Sequence, residues 1–191
     1  VVIAIIAILA GLLLPWVGAS LARARATQCL SHLRQCVLAA QQYADDHQDR
    51  LPESFALTNG LVLQWADFIS PHLGQSFAGL SSSMPASSRG PFFCPEALRL
   101  HPGEYRGYHG SYGMNAWCSG QRIAVIPQPS ARILFGDGHW GGGWWWAGIE
   151  NRQDSYPEAL HGDGASFVMV DGHAQPLARA SYEGPPEVWS W

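Results

Sequence analysis

The first 22 residues, Val1 to Ala22, carry no ionisable side chain, and Arg23 is the first charged residue of the chain. A helix of that length rises about 33 Å, roughly the thickness of a bilayer's hydrocarbon core. The run Val1-Val2-Ile3-Ala4-Ile5-Ile6-Ala7-Ile8-Leu9-Ala10 is apolar around its whole circumference, which excludes an amphipathic surface helix. A rod of this kind must be covered by lipid or by protein. A secretory signal would place a basic segment before the apolar core and a small-residue cleavage site after it. Here no basic segment precedes the core, and 19–26 continues with helical character. A plain membrane anchor is the competing reading. Arg23 and Arg25, just past the run, would put the following part in the cytoplasm, whereas a basic leader upstream of Val1 would reverse that orientation.

Behind the apolar opening the pattern becomes amphipathic. Leu30, Leu33, Val37, Ala40 and Ala44 recur at spacings of three and four, joined by Cys29, Cys36 and Tyr43. Arg25, Gln28, Ser31, Arg34, Gln35 and Gln42 occupy the other side. Neither Pro nor Gly interrupts 19–48, so one helix is predicted over about 1–47, loosened near Pro15, where a backbone hydrogen bond is lost and Gly11 weakens the same stretch. The chain thus divides into an apolar segment, 1–22, an amphipathic half-helix, 23–47, and a head, 48–191.

The head reads as α+β. Leu61 to Leu73 predicts a short amphipathic helix with Leu61, Trp65, Phe68 and Ile69 on one side, and Ser76 to Gly90 predicts a loop. Short strands are predicted around Ser111 to Trp117, Ile123 to Ile126 and Arg132 to Phe135. Ser166 to Val170 and His173 to Leu177 flank Asp171-Gly172, a hairpin signal in which both turn positions are expected at positive φ. The architecture expected is a long spine helix packed on a small antiparallel sheet. A charged fraction of 14% and a net charge of -4 leave no electrostatic footprint for nucleic acid, while 47% hydrophobic residues exclude a solvated disordered chain.

Two signatures meet a known family. The stretch VVIAIIAILAGLLLP closely resembles the N-terminal segment of type IV pilins and type II secretion pseudopilins. The order Cys29-Leu-Ser-His-Leu-Arg-Gln, then Ala39-Ala-Gln-Gln-Tyr-Ala-Asp-Asp, then Arg50-Leu-Pro is similar to the same proteins. Near the other end, His161 followed by nine residues and Asp171-Gly172 resembles the H-x9-DG signature of pilin-like proteins. The middle, about 50–155, matches only loosely. The family's usual Phe-Thr-Leu-Ile-Glu-Leu opening, with its functionally important Glu, is not present here.

The resemblance implies a pilin-like fold and a structural subunit of an extracellular, cell-surface filament, anchored in the inner membrane before assembly. Its partners would be copies of itself and a pilus or secretion assembly machinery. The filament core would be built from Val1, Val2, Ile3, Ile5, Ile6, Ile8, Leu9, Leu12, Leu13, Leu14 and Pro15, extending to Val17. A secretion-system pseudopilin, forming short periplasmic pistons, is the alternative within the family, and a membrane-anchored glycan-binding module is the alternative outside it.

Four cysteines allow three pairings; Cys29 and Cys36, about 10 Å apart by helical rise, are too far apart to bridge and read as buried small residues. An exported protein meets an oxidising compartment, so a Cys94–Cys118 disulfide is expected, contributing about 3 kcal/mol. No cysteine has zinc-ribbon or haem-attachment spacing. His139, His161 and His173 accompany Asp137, Asp163 and Asp171, and related pseudopilins bind calcium in a C-terminal loop. A Ca2+ site on these aspartates, and a catalytic zinc site built from the His/Asp group, compete with a reading in which the aspartates form turns and His161 ties the hairpin; the dense acidic loop that calcium favours is not evident. No resident cofactor is expected. Trp144, Trp145 and Trp146, in a Gly-rich loop with Trp140, are candidate subunit contacts, with core packing and glycan stacking as alternatives. No hydrolase or nucleotide-binding motif occurs, so no enzyme activity is expected.

Overall fold

The computed structural model describes residues 2–58, 61–75, 90–101, 110–138, 144–145 and 157–182. The side chains of residues 4, 7, 8, 10, 12–15, 61, 62, 144 and 145 lie outside that description. The protein is α+β, a long N-terminal helix on a small, mainly antiparallel sheet.

Helix α1, Val2–Asp46, is a single unbroken element of 45 residues, about 68 Å long, and it passes through Pro15 without interruption. It ends where Gln48 and Asp49 take positive φ, 58° and 67°, with the Asp49 amide closing back on the Ala44 carbonyl at 2.8 Å. The stripe Cys29, Leu33, Cys36, Val37, Ala40 and Ala44 is fully buried, as its spacing demands. Leu30 and Tyr43 flank that stripe and are only half-buried.

Strands β1, Phe55–Thr58, and β2, Leu61–Gln64, form a separate antiparallel hairpin. The helix expected from Leu61 is therefore shorter. Residues 61–64 pair with β1, and only α2, Trp65–Ile69, is helical, running into a 3-10 turn at Ser70–Leu73. The Asp67 carboxylate starts α2 by accepting from the Gln64 amide at 2.7 Å. Trp65 anchors the turn under α1, with ring centroids 4.5 Å from Phe135 and 5.8 Å from Phe92.

After α3, Pro95–Leu100, the main sheet is built from β3, Tyr112–Asn115, β4, Ile133–Asp137, β5, Trp144–Trp145, β6, Gly164–Met169, and β7, Ala174–Ala178. Its order is β5-β3-β4-β6-β7, antiparallel except that β5 pairs parallel with β3. Residues 123–126, expected as a strand, form a 3-10 turn instead. Their amides bond to the helix exit, Ile123 to the Asp49 carbonyl and Ala124 to the Asp49 carboxylate, both at 2.9 Å.

Helix α1 lies across β6, beside β4 and β7. Strand alternation splits the core accordingly: Val168 and Val170 face α1, while Ala165, Phe167 and Met169 join Ile133 and Tyr182 on the far side. Tyr182 comes from the short helix α4, Arg179–Tyr182. A bulge between Ile133 and Phe135 turns both Leu134 and Phe135 toward the α1 side.

The β6–β7 turn differs in detail from the expected one. The loop is Val170-Asp171-Gly172, closed by the Gly172 amide on the Met169 carbonyl, and only Gly172 takes positive φ, at 97°. This is the three-residue hairpin with a left-handed closing residue, so Asp171 needs no unusual backbone.

Candidate functional site

Two features carry functional weight: the first half of α1 and a polar cluster buried beneath its second half. Every described residue from 2 to 24 is exposed, and burial begins at Arg25 and Ala26. Val2, Ile3, Ile5, Ile6, Leu9, Trp16, Val17 and Leu21 are between 52% and 83% exposed. Apolar side chains of this size along one continuous helix go well beyond the scattered surface hydrophobics of an ordinary monomer. Of the expected core set, Val1 and the side chains of Ile8, Leu12, Leu13, Leu14 and Pro15 lie outside the described residues. Among the described residues, no helix is long and apolar enough to cross a membrane.

The boundary between the free and docked halves is tied down twice. Glu96, buried at the start of α3, receives Nε of Arg25 from α1 and Nε of Arg99 from its own helix, the latter at 3.0 Å. The Arg99 hydrogen bond, assisted by Arg25, holds the Glu96 carboxyl below its usual range against the opposing effect of burial. One turn further along α1, Cys29 is disulfide-bonded to Cys94, the residue that caps α3, with Cα atoms 5.0 Å apart.

The expected Cys94–Cys118 bond is thus not formed. Cys94 sits at the N-terminal end of α3, which docks on α1, so its sulfur meets Cys29. Cys118 lies beyond β3 in a 3-10 turn, with its thiol directed at the Ile133 carbonyl at 3.7 Å. Cys36 and Cys118 are free, buried thiols, and burial pushes both up, Cys118 to about 12. Neither is poised as a thiolate nucleophile at neutral pH. The expectation for Cys36 as a small buried residue agrees with this, and Cys29 and Cys36 do not bridge each other.

Asp137 and His161 close the cluster around the disulfide. Asp137 ends β4 and, two residues beyond Phe135, shares its α1-facing side. Its Oδ2 accepts from the Ser166 amide at 2.6 Å, and Oδ1, fully buried, has no hydrogen-bond partner among the described residues. Burial raises the Asp137 carboxyl to about 7, opposed by the Ser166 bonds. His161 Nε2 lies 3.4 Å from Asp137 Oδ2 and 3.4 Å from Cys94 Sγ. Burial lowers the basicity of this imidazole, so it is neutral near neutral pH and carries one ring proton. The Tyr112 hydroxyl, paired across the sheet from Asp137, donates to the Cys29 carbonyl at 3.3 Å.

These positions revise two further expectations. The His161 side chain does not tie the hairpin turn; it faces Asp137 and Cys94 at the opposite end of β6. The nine-residue spacing is therefore one strand length, with His161 before β6 and Asp171-Gly172 after it. Nor do Asp137, Asp163 and Asp171 converge. Asp137 is buried, the Asp163 side chain is 93% exposed, and Asp171 pairs with its own neighbour, His173 Nδ1, at 2.7 Å. His139 and Trp146 lie outside the described residues; Trp144 and Trp145 form the backbone of β5.

The chain matches no family model, and no curated protein or solved structure is detectably similar to it.

Proposed function

We propose that the chain is the structural subunit of a type IV pilin-like filament, in which the first halves of α1 from many copies bundle together and the heads form the outer layer. The observation that carries this reading is the run of exposed apolar side chains on α1 from residue 2 to residue 21, projecting beyond the head that covers the rest of the helix. Six of them, Val2, Ile3, Ile5, Ile6, Leu9 and Val17, would together contribute on the order of 10 kcal/mol per subunit on burial. Such stripes repeated on every copy make a head-to-tail interface that extends as a helix and does not close. In this reading the inner membrane covers the apolar half-helix before assembly, a dedicated machinery extracts it, and the filament is displayed at the cell surface. The head serves as a rigid collar, stapled to α1 at Cys29–Cys94 and Arg25–Glu96.

Removing residues 1–22 tests the proposal. The shortened chain is expected to stay folded by circular dichroism and to be a monomer by light scattering, while the full chain forms rods or large oligomers once detergent is withdrawn. A full chain that remains a dispersed monomer in detergent-free buffer would sink it. Filament length in electron micrographs then separates long surface fibres from short pseudopilus pistons.

A further inference from the structure

The sulfur atoms of Cys29 and Cys94, a carboxylate oxygen of Asp137 and a ring nitrogen of His161 all lie within 4.8 Å of one another. Each comes from a different place in the fold: α1, the cap of α3, the end of β4 and the segment entering β6. A tetrahedral zinc ion places its ligand atoms about 3.3–3.8 Å from each other, given bond lengths of about 2.0–2.3 Å. His161 Nε2 already stands 3.4 Å from both Cys94 Sγ and Asp137 Oδ2.

We propose that when the Cys29–Cys94 bond is reduced, these four side chains form a single closed zinc site. The disulfide and the metal site are then alternative states of the same two sulfurs, and either one clamps α1 to the head at the same point. This inference does not depend on the filament reading.

Three observations favour zinc over other occupants. Two thiolates, an imidazole and a carboxylate make a donor set suited to zinc and poorly suited to calcium or magnesium, which require oxygen. Asp137 Oδ1 is fully buried and has no hydrogen-bond partner among the described residues, so it is an acceptor without a donor there. The ligands are also held from outside, as metal ligands commonly are: Asp137 by the Ser166 amide at 2.6 Å, and Cys94 through its own amide, which donates to Ser111 Oγ at 2.6 Å. Four protein donors in a buried position leave no open coordination place, so the site is structural and not catalytic.

The chemistry balances with a named reductant. A trialkylphosphine and one water convert the disulfide to two thiols and a phosphine oxide, the phosphorus losing the two electrons that the sulfurs gain. Zn2+ then displaces the two thiol protons to form two zinc–sulfur bonds, with no change in its own oxidation state. In a cell a dithiol supplies the same two electrons, or the chain meets zinc before its disulfide is first formed.

The test uses the full chain in detergent, reduced with a phosphine, and Co2+ as the optical probe. One equivalent of Co2+ is expected to give the visible bands of a tetrahedral ion and a near-ultraviolet thiolate-to-cobalt band, both abolished by Zn2+. The oxidised chain should give neither. His161→Gln should weaken binding at least about 10-fold, since even outer-shell partners are worth that much. In case the variant misfolds, the unaltered reduced chain is also alkylated with and without Zn2+ and mapped by peptide mass. Protection specific to Cys29 and Cys94 supports the site. A reduced chain giving no thiolate–cobalt band, folded or not, overturns it, as do equal binding by the oxidised chain and protection confined to Cys36 and Cys118.

Discussion

The two halves of α1 share one continuous backbone and meet opposite surroundings. In the second half, small and branched residues fit a sheet: Cys29, Cys36, Ala39, Ala40 and Ala44 let α1 approach β6 closely, with Leu33 and Val37 filling the gaps. In the first half, the run 1–10 has no polar residue on any side of the helix, and every described residue from 2 to 24 is exposed. A helix that docks on one sheet needs one apolar stripe and a polar back. An apolar circumference suits a helix that will be surrounded, by lipid or by its own kind. The change falls within a few residues, at Arg25 and Cys29, where the head takes hold.

The comparison is broken most forcefully by a charge in the free half. Ile6 is 61% exposed, so Ile6→Asp should leave the head's unfolding midpoint unchanged. In an assembled bundle the carboxylate would be desolvated at a cost of several kcal/mol, equivalent to at least a ~100-fold rise in the concentration needed for assembly. Sedimentation against protein concentration reads this directly. A lowered melting temperature with unchanged assembly would show that the segment folds back on its own head.

Removing the staple acts on the docked half alone. Replacing both Cys29 and Cys94 by Ser should cost about 4 kcal/mol in denaturant unfolding, the chain-entropy expectation for a bond spanning 65 residues. Cys118→Ala should leave the native bond intact in peptide mapping. A Cys94–Cys118 peptide in the unaltered oxidised protein would overturn the assignment.

A matched pair of leucines sharpens the same contrast. Leu33 is fully buried against the head, and Leu33→Ala should destabilise by about 3 kcal/mol through lost burial and a cavity. Leu9→Ala removes the same atoms from a side chain that is 55% exposed and should shift head stability by less than about 0.5 kcal/mol. Equal effects would mean that the first half is packed as well.

Much of this contrast was legible in the residues, because helical periodicity and its absence are local properties. The docked stripe is legible in the spacing, and so are the places of β3, β4, β6 and β7, with strand ends displaced by one or two residues. Besides the strand expected at Ile123 to Ile126, which is a 3-10 turn, three features are not legible there. Leu61-Val62-Leu63-Gln64 leads straight into Trp65 and Phe68 at helical spacing, so the switch from strand to helix at Gln64 leaves no periodic trace; pairing with β1 decides it. The disulfide partner of Cys94 depends on how α3 lands on α1, a contact between residues 65 apart that spacing does not encode. Asp137 and His161 both belong to the His/Asp group that the sequence offers, but the favoured reading there has Asp137 forming a turn and His161 tying the hairpin. Only the sheet register, which sets Asp137 on the α1-facing side beside Ser166, shows that they belong with the sulfurs.

A smaller effect than that of Leu33→Ala lies at the boundary itself and depends on pH. The Glu96 carboxyl is held below its usual value by Arg99 and Arg25, so the folded state binds fewer protons than the unfolded state across that window. Its stabilisation is therefore complete above the ordinary glutamate range and is lost as pH falls through the depressed folded value. Glu96→Gln should cost about 1–3 kcal/mol at neutral pH, moderated because Arg99 and Arg25 both reach water, at 53% and 26% exposure. It should also flatten the acid limb of the stability profile below about pH 4.5. Amide exchange along α1 locates the effect: protection should fall around Arg25 and fade toward Ala44, where the buried stripe holds the helix without help from charge. If exchange instead rose uniformly along the docked half, the ion pair would be supporting the whole interface, and the boundary would be less sharp than the burial pattern describes.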